Sequence, residues 1–220
     1  TIHQSHIEQL HTRDQYLLRH KGQAYIELSD LGAGKTAYTR NSQYLAKVFA
    51  PYFPEAEKAF MIELGQQNQT ATFNKNTLMI SPQETLKRAL FWESYLKKYP
   101  QSPLKKDAEY LLNAYSYFFF IGLADSPVSI NFEGVIDIQP STLSEIEQLA
   151  THKNSLLAEQ ARRFLKFIDL STDQRHKLVS SNTENTTPQV QLIQYLKLKP
   201  IDLNQVQSRN CFSDAICRSN

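Results

Sequence analysis

The 220-residue chain is 41% hydrophobic and carries 24 basic and 22 acidic residues, for a formal net charge of +2. These charges are spread along the chain with no concentrated basic face, which argues against a nucleic-acid binder. The longest apolar stretch, Tyr115 to Ala124, falls well short of the roughly 20 residues a bilayer span requires, so no membrane-spanning segment is expected.

The first helix is predicted over Ile2–Arg19 and a short strand over Ala24–Leu28. Helices follow over Ser42–Phe49 and Pro54–Gln67. Ser81-Pro82-Gln83-Glu84 forms a capping box with proline at the first helical position. Behind it Trp92, Tyr95, Leu96 and Tyr99 share one helix face until Pro100 stops the helix. The next helix starts near Pro103 and is apolar on two sides. Leu104, Ala108, Leu111, Leu112, Tyr115, Phe118 and Phe119 form one stripe, and Tyr110, Ala114, Tyr117 and Ile121 the other, so it is expected between neighbours. Val128, Ile130 and Phe132, then Ile136 and Ile138, alternate about Gly134 and predict a β-hairpin insertion. Further helices are expected over Thr142–Thr151, Ser155–Asp169, Thr172–Ser180 (behind a second capping box, Ser171-Thr172-Asp173-Gln174) and Pro188–Leu198. The polar segment Ser181–Thr187 reads as a loop, and the chain beyond Asn204 as irregular. With only six glycines in the sequence, an all-β or glycine-loop nucleotide fold is disfavoured.

Cys211 and Cys217 are the only cysteines. They could be free, share a small disulfide loop, or belong to a metal or redox site. Asp214 is the sole other ligand type between them, and the disulfide is the expectation, which points to an oxidising compartment. The sequence starts at Thr1 without a methionine or an apolar leader, which leaves room for a removed targeting peptide or a lipid anchor upstream.

The chain also echoes itself. Ser102, Leu104, Ala108, Leu111, Leu112 and Tyr115 recur, 53 positions on, as Ser155, Leu157, Ala161, Phe164, Leu165 and Ile168. Two unrelated amphipathic helices would share the apolar period, but not the serine start or the alanine at the same phase. Alanine in such a stripe admits a close helix crossing. Stacked helical hairpins make a solenoid with a groove for ligands.

The run Phe91-Trp92-Glu93-Ser94-Tyr95-Leu96-Lys97-Lys98-Tyr99-Pro100, with Gln101-Ser102-Pro103 and Asp107-Ala108-Glu109-Tyr110-Leu111-Leu112, resembles the tetratricopeptide-like repeats of bacterial periplasmic proteins. These include outer-membrane assembly lipoproteins and the division coordinator that partners with the Tol system. The resemblance covers Thr85 to Gly122, 38 of 220 residues. It departs from the family at Lys105-Lys106, where a Tyr-Ala pair is usual, and in lacking a second repeat at a spacing of about 34 residues. The resemblance implies binding of peptides or proteins and no catalytic residue.

Leu31-Gly32-Ala33-Gly34-Lys35-Thr36 has the end of a phosphate loop but Ser29 where its first glycine belongs, so a surface turn is expected. Of the clustered histidines His3, His6, His11 and His20, His6 and His11 stand about 140° apart on a helix and do not form a zinc pair. His3 and His6 could share a face, but solvated side chains are the expectation. Glu55/Glu57 and Glu145/Glu147 lie two apart, on different helix faces, and there is no Gly-x-Ser-x-Gly elbow. Asn68-Gln69-Thr70 and Asn185-Thr186-Thr187 fit the glycosylation triplet. Trp92, Tyr95, Tyr99, Tyr110 and Tyr117 are the candidate binding residues, as an aromatic platform, although their helical spacing makes core packing the default expectation.

The predicted fold is mainly α: helical hairpins in a short tetratricopeptide-like solenoid with a small β-hairpin insertion at 126–139. One helical domain is expected over 1–204, and an irregular tail with a disulfide over 205–220. The expected function is a non-catalytic scaffold of the bacterial cell envelope, periplasmic or outer-membrane-associated, that binds a protein or peptide and uses no cofactor and no metal. An immunity protein or inhibitor that neutralises a toxin or hydrolase is the alternative. A cell-wall-acting enzyme is a third.

Overall fold

A computed structural model describes residues 7–32, 35–178, 187–201, 203 and 210–218. The fold is mainly helical, with small antiparallel β-hairpins. The chain divides into two compact units, Thr1–Ala71 with Gln207–Asn220, and Thr72–Val206; the sequence reading drew one domain over 1–204 and a tail.

In the first unit, helix α1 spans Thr12–Arg19. The described part of the expected Ile2–Arg19 helix is therefore broken before Thr12. His11 leaves helical geometry (φ −58°, ψ 143°) and its side chain accepts from Arg13 N–H, satisfying a donor that a helix start leaves open. Strands β1 (Ile26–Gly32) and β2 (Lys35–Arg40) pair antiparallel, with Ile26 opposite Arg40 and Leu28 opposite Tyr38. Lys35 and Thr36 thus sit on a strand, where a phosphate loop requires a helix.

Helices α2 (Tyr44–Phe49) and α3 (Glu55–Gln67) are joined by a 3₁₀ turn at Ala50–Tyr52. Ala46, Ala50, Met61 and Ala215 form a small core. At Gly65 a Cβ would lie 2.9 Å from Ser42 O and 3.3 Å from Ala215 Cβ, so this crossing needs glycine. Of the tail expected to be irregular, the described residues 210–218 carry no helix and only one isolated β-bridge, and they are tightly packed. Cys211 and Cys217 are disulfide-bonded, and backbone hydrogen bonds between Asn210 and Arg218 close the loop's neck at 2.7 and 2.9 Å. Cys211, Asp214 and Ala215 are fully buried. The Tyr25 hydroxyl donates to Asp214 (2.6 Å) and Asn68 Nδ2 donates to the carbonyls of Cys211 (2.8 Å) and Asp214 (2.7 Å). Asn68, in one of the glycosylation triplets, is thereby held inside the unit. Burial first, then the Asp214 carboxylate, raises the Tyr25 pKa.

The second unit begins with a two-residue hairpin, β3 (Phe73–Asn74) and β4 (Thr77–Leu78). Helix α4 (Pro82–Lys98) starts where expected: Ser81 Oγ accepts from Glu84 N–H at 3.1 Å. Helix α5 (Lys105–Phe120) starts later than expected. Ser102 Oγ accepts from Leu104 N–H (3.1 Å) and bonds the Tyr95 hydroxyl (2.8 Å), holding Pro103–Leu104 in a turn. Helices α6 (Pro140–Ala150) and α7 (Leu156–Ile168) form a second hairpin, and α4 packs on α5, α6 and α7. Helix α5 is sandwiched as predicted: Ala108, Leu111, Ala114, Tyr115 and Phe120 are fully buried. The two echoed stripes are buried in the same phase. Ala108 matches Ala161, Leu111 matches Phe164 and Tyr115 matches Ile168 as buried positions, and Leu112 and Leu165 are both half-buried. Arg88 is buried with Glu84 (2.8 Å) and Thr72 (3.0 Å) as partners.

The β-hairpin expected over Val128–Ile138 is corrected by the structure. The hairpin lies just before it, β5 (Gly122–Leu123) with β6 (Ser126–Pro127). Gly122, at φ +84°, leaves no room for a Cβ, which would meet Ser126 O at 2.4 Å. Residues 128–139 form an irregular loop with a 3₁₀ turn at Val135–Asp137. The alternation was real as burial, since Val128, Phe132 and Ile138 point inward while Ile130 and Ile136 point out. The pairing is instead set by side chains. Ser129 donates to the Asp137 carboxylate, which also accepts from Asn131 N–H (2.8 Å), and Ser129 Oγ accepts from Phe132 N–H (2.7 Å).

Helix α8 (Thr172–Leu178) carries the predicted box in full. Ser171 N–H donates to Gln174 Oε1 (2.9 Å) and Gln174 N–H to Ser171 Oγ (3.4 Å). Helix α9 spans Pro188–Tyr195. The loop expected at Ser181–Thr187 lies, except for Thr187, outside the described residues.

Candidate groove along α5 and α7

Helix α5 places Lys106, Glu109, Tyr110, Asn113, Ser116 and Tyr117 at spacings of three and four, so one side of it forms a polar and aromatic stripe. Two hollows open along this helix. One, of about 670 Å³, is walled by Lys106, Tyr110, Asn113 and Ser116 of α5, Leu156 and Gln160 of α7, and the segment Leu198–Ile201. The other, of about 690 Å³, is walled by Tyr117, the β5–β6 turn, Ser129, Ile130, Gln189 and Leu203. Ile201 borders both. Phe120 packs against Phe164 with the rings tilted and their centroids 5.8 Å apart, which ties α5 to α7.

Asn113 is the polar centre of this groove. Its Nδ2 donates to the Lys199 carbonyl at 2.9 Å, and its Oδ1 accepts from Lys199 N–H at 2.9 Å. A carboxamide used this way satisfies both backbone groups of one residue and is indifferent to its side chain. Gln160 Nε2 adds a donor to the Leu196 carbonyl at 3.0 Å. Burial raises the Tyr117 pKa, keeping its phenol neutral. The groove is therefore lined by amides that hold the chain's own backbone and by tyrosine hydroxyls, between apolar walls, with a lysine and a glutamate at one rim. Such groups pair with a peptide backbone.

The five aromatic candidates separate. Trp92 is fully buried and Tyr95 nearly so. Their rings pack edge-on at 5.9 Å, as core residues. Tyr99, half-buried at the end of α4, packs on Tyr95 at 5.1 Å, with the Lys98 ammonium over its ring. Tyr110 and Tyr117 are half-buried and reach the groove. Asn113 and Gln160 were missed by sequence reasoning. The available signal was an asparagine in the middle of an apolar helix, where it is a poor helix former unless its side chain has a partner.

His3, His6 and Asn185 lie outside the described residues. His20 stacks on Tyr16 with centroids 4.2 Å apart and bonds the Tyr16 carbonyl. Among the described residues no group of three His, Cys, Asp or Glu side chains could hold a metal ion, and no helix is long and apolar enough to cross a membrane.

Comparison of the chain with protein-family models, with curated proteins and with solved structures gives no match.

Proposed function

We propose that this protein is a non-catalytic scaffold of the bacterial cell envelope that binds an extended peptide segment of a partner protein in the groove along α5 and α7. The observation that carries the reading is the two-point hold of Asn113 on the Lys199 backbone, because it is a backbone-reading contact already made to a non-helical segment. Support comes from the paired helical hairpins, with echoed stripes buried in one phase, which fit stacked tetratricopeptide-like repeats. The disulfide supports an oxidising compartment such as the periplasm. A lipid anchor upstream of Thr1 would fit an outer-membrane-associated site.

A second reading, an immunity protein or inhibitor, is favoured by the 128–139 loop. It displays Ile130 (81% exposed) and Ile136 (100% exposed) on a frame pinned by Ser129 and Asp137. Pre-organised apolar anchors are what an inhibitory contact uses. Affinity purification from envelope extract, with Asn113→Ala and Ile136→Asp as comparators, separates the two. Loss of an assembly or division component with Asn113→Ala supports the groove. Loss of a single toxic enzyme with Ile136→Asp supports the inhibitor, and hydrolysis of wall fragments by the purified protein overturns both.

A further inference from the structure

We infer that the segment Leu196–Ile201 is an intramolecular stand-in for the partner, and that the groove selects an extended apolar-x-Pro-apolar peptide which displaces it. The inference rests on the groove reading proposed above and adds the ligand's chemistry and its competition with the chain itself.

The segment leaves α9 through Lys197, a non-glycine residue at φ +56°, with Leu198 N–H returning to the Ile193 carbonyl at 3.0 Å. Glycine is the ordinary residue at such a helix exit, so the turn into the groove is held against a local preference. Beyond it the residues divide by role. Leu198 is buried (7% exposed). Lys199 is exposed, and its peptide groups are the ones read by Asn113. Pro200 is exposed, and its ring biases Lys199, the residue before it, away from helical and toward extended backbone. Ile201 is half-buried at the junction of the two hollows.

This is how a bound peptide is held. One residue is fixed through its backbone, apolar neighbours fill the walls, and side chains between them face solvent. The segment leaves hollows of about 670 and 690 Å³ open on its two sides. A partner peptide that repeats its contacts and extends into that space gains area the segment does not use. Because the clamp accepts any residue but proline at the Lys199 position, selectivity falls on the apolar positions and the following proline. Tethered segments compete at high effective concentration, so a free copy is expected to bind the intact protein weakly and a protein with a loosened segment well.

The test uses the full chain and a fluorescein-labelled Leu-Lys-Leu-Lys-Pro-Ile peptide, the sequence of residues 196–201. Anisotropy is expected to show at least tenfold tighter binding to Leu198→Ala than to the unaltered protein. Adding Asn113→Ala to Leu198→Ala should remove that binding. Ile201→Ala, at a half-buried position outside the buried core, is the second loosening variant and should act in the same direction. Hydrogen exchange reports the segment directly: the Lys199 amide should exchange faster in both loosening variants while the α5 amides keep their protection. Equal affinity with and without loosening, binding indifferent to Asn113, or no binding to either loosened protein would overturn the inference. If the six-residue peptide fails while an envelope protein is still captured through Asn113, the inference falls and the proposed groove function stands.

Discussion

The carboxylate of Glu93 in α4 caps the N-terminus of α7: Oε1 accepts from Leu156 N–H, from Leu157 N–H at 3.3 Å and from the Ser155 hydroxyl at 3.2 Å. Ser155 Oγ in turn accepts from Ala158 N–H at 3.1 Å. Lys97 completes the joint, 3.4 Å from the other Glu93 oxygen and donating to the Asn154 carbonyl at 2.8 Å. One hairpin is thereby tied to the next through a buried anion placed at a helix's positive end. Glu93→Ala should cost about 1–3 kcal/mol in urea unfolding, because it strips an acceptor from buried donors. Glu93→Gln keeps an acceptor and should cost less. A loss below about 0.5 kcal/mol for Glu93→Ala would contradict this role.

Ala108 and Ala161 occupy equivalent, fully buried positions on α5 and α7. Ala108→Leu and Ala161→Leu should each overpack a helix crossing and cost on the order of 1–3 kcal/mol. Ser94→Ala, on the exposed side of α4, should stay within about 0.5 kcal/mol. Lys97, although exposed, is not a neutral control because it donates to the Asn154 carbonyl and pairs with Glu93. Equal effects at Ala108 and Ser94 in denaturant titration would mean the buried face is misassigned.

Asp137 predicts a response to acid. The Ser129 hydroxyl, followed by the Asn131, Phe132 and Glu133 amides, holds its carboxyl below the ordinary 3.8. A carboxylate with a depressed folded pKa contributes stability that is present above the unfolded value and lost as pH falls through the folded one. The 128–139 loop should therefore keep its protection above about pH 4 and loosen below it. Exchange at the Asn131 amide, followed from pH 6 down to pH 3 and corrected for intrinsic rates, reads this directly. A profile that Asp137→Asn leaves unchanged would contradict it.

How much of this was open to sequence reading follows from the distance over which each contact acts. Ser81 and Ser171 bond within three residues, so their helix starts could be read. The Glu93 carboxylate meets an amide 63 positions away, and Asn113 a peptide 86 positions away. Periodicity places neither partner. Strand β2 was missed because Lys35–Arg40 is polar on both faces and carries the strand signal only in Thr36, Tyr38 and Thr39. The alternation at Val128–Ile138 gave the buried side correctly but not the pairing, since Asp137 supplies hydrogen bonds that a partner strand would have supplied. Among the aromatics, spacing could not tell the buried Trp92 from the groove-lining Tyr117, because both lie at helical period.

The disulfide should act on the first unit. Closing a loop this short is worth roughly 2–3 kcal/mol in the entropic account. Reduction frees the loop that buries Ala215 against Gly65 and Ala46. Exchange should then rise in the α2 and α3 peptides while α5 and α7 are unchanged. Two thiols should titrate in unfolded protein only after reductant. Two free thiols in unreduced protein exported by its native host would remove the argument for an oxidising compartment.

The proposed function stands or falls on whether the α5–α7 groove reads extended backbone through Asn113, and selection from a random-peptide display library on the immobilised full chain carrying Ile201→Ala, which loosens the competing segment, asks this with the groove accessible. The groove account predicts enriched peptides with a proline beside apolar residues, which no longer bind when Asn113 is replaced by alanine and still bind when Ser94 is. Failure to enrich any peptide, or enrichment of peptides that bind the Asn113→Ala protein equally well, would contradict it.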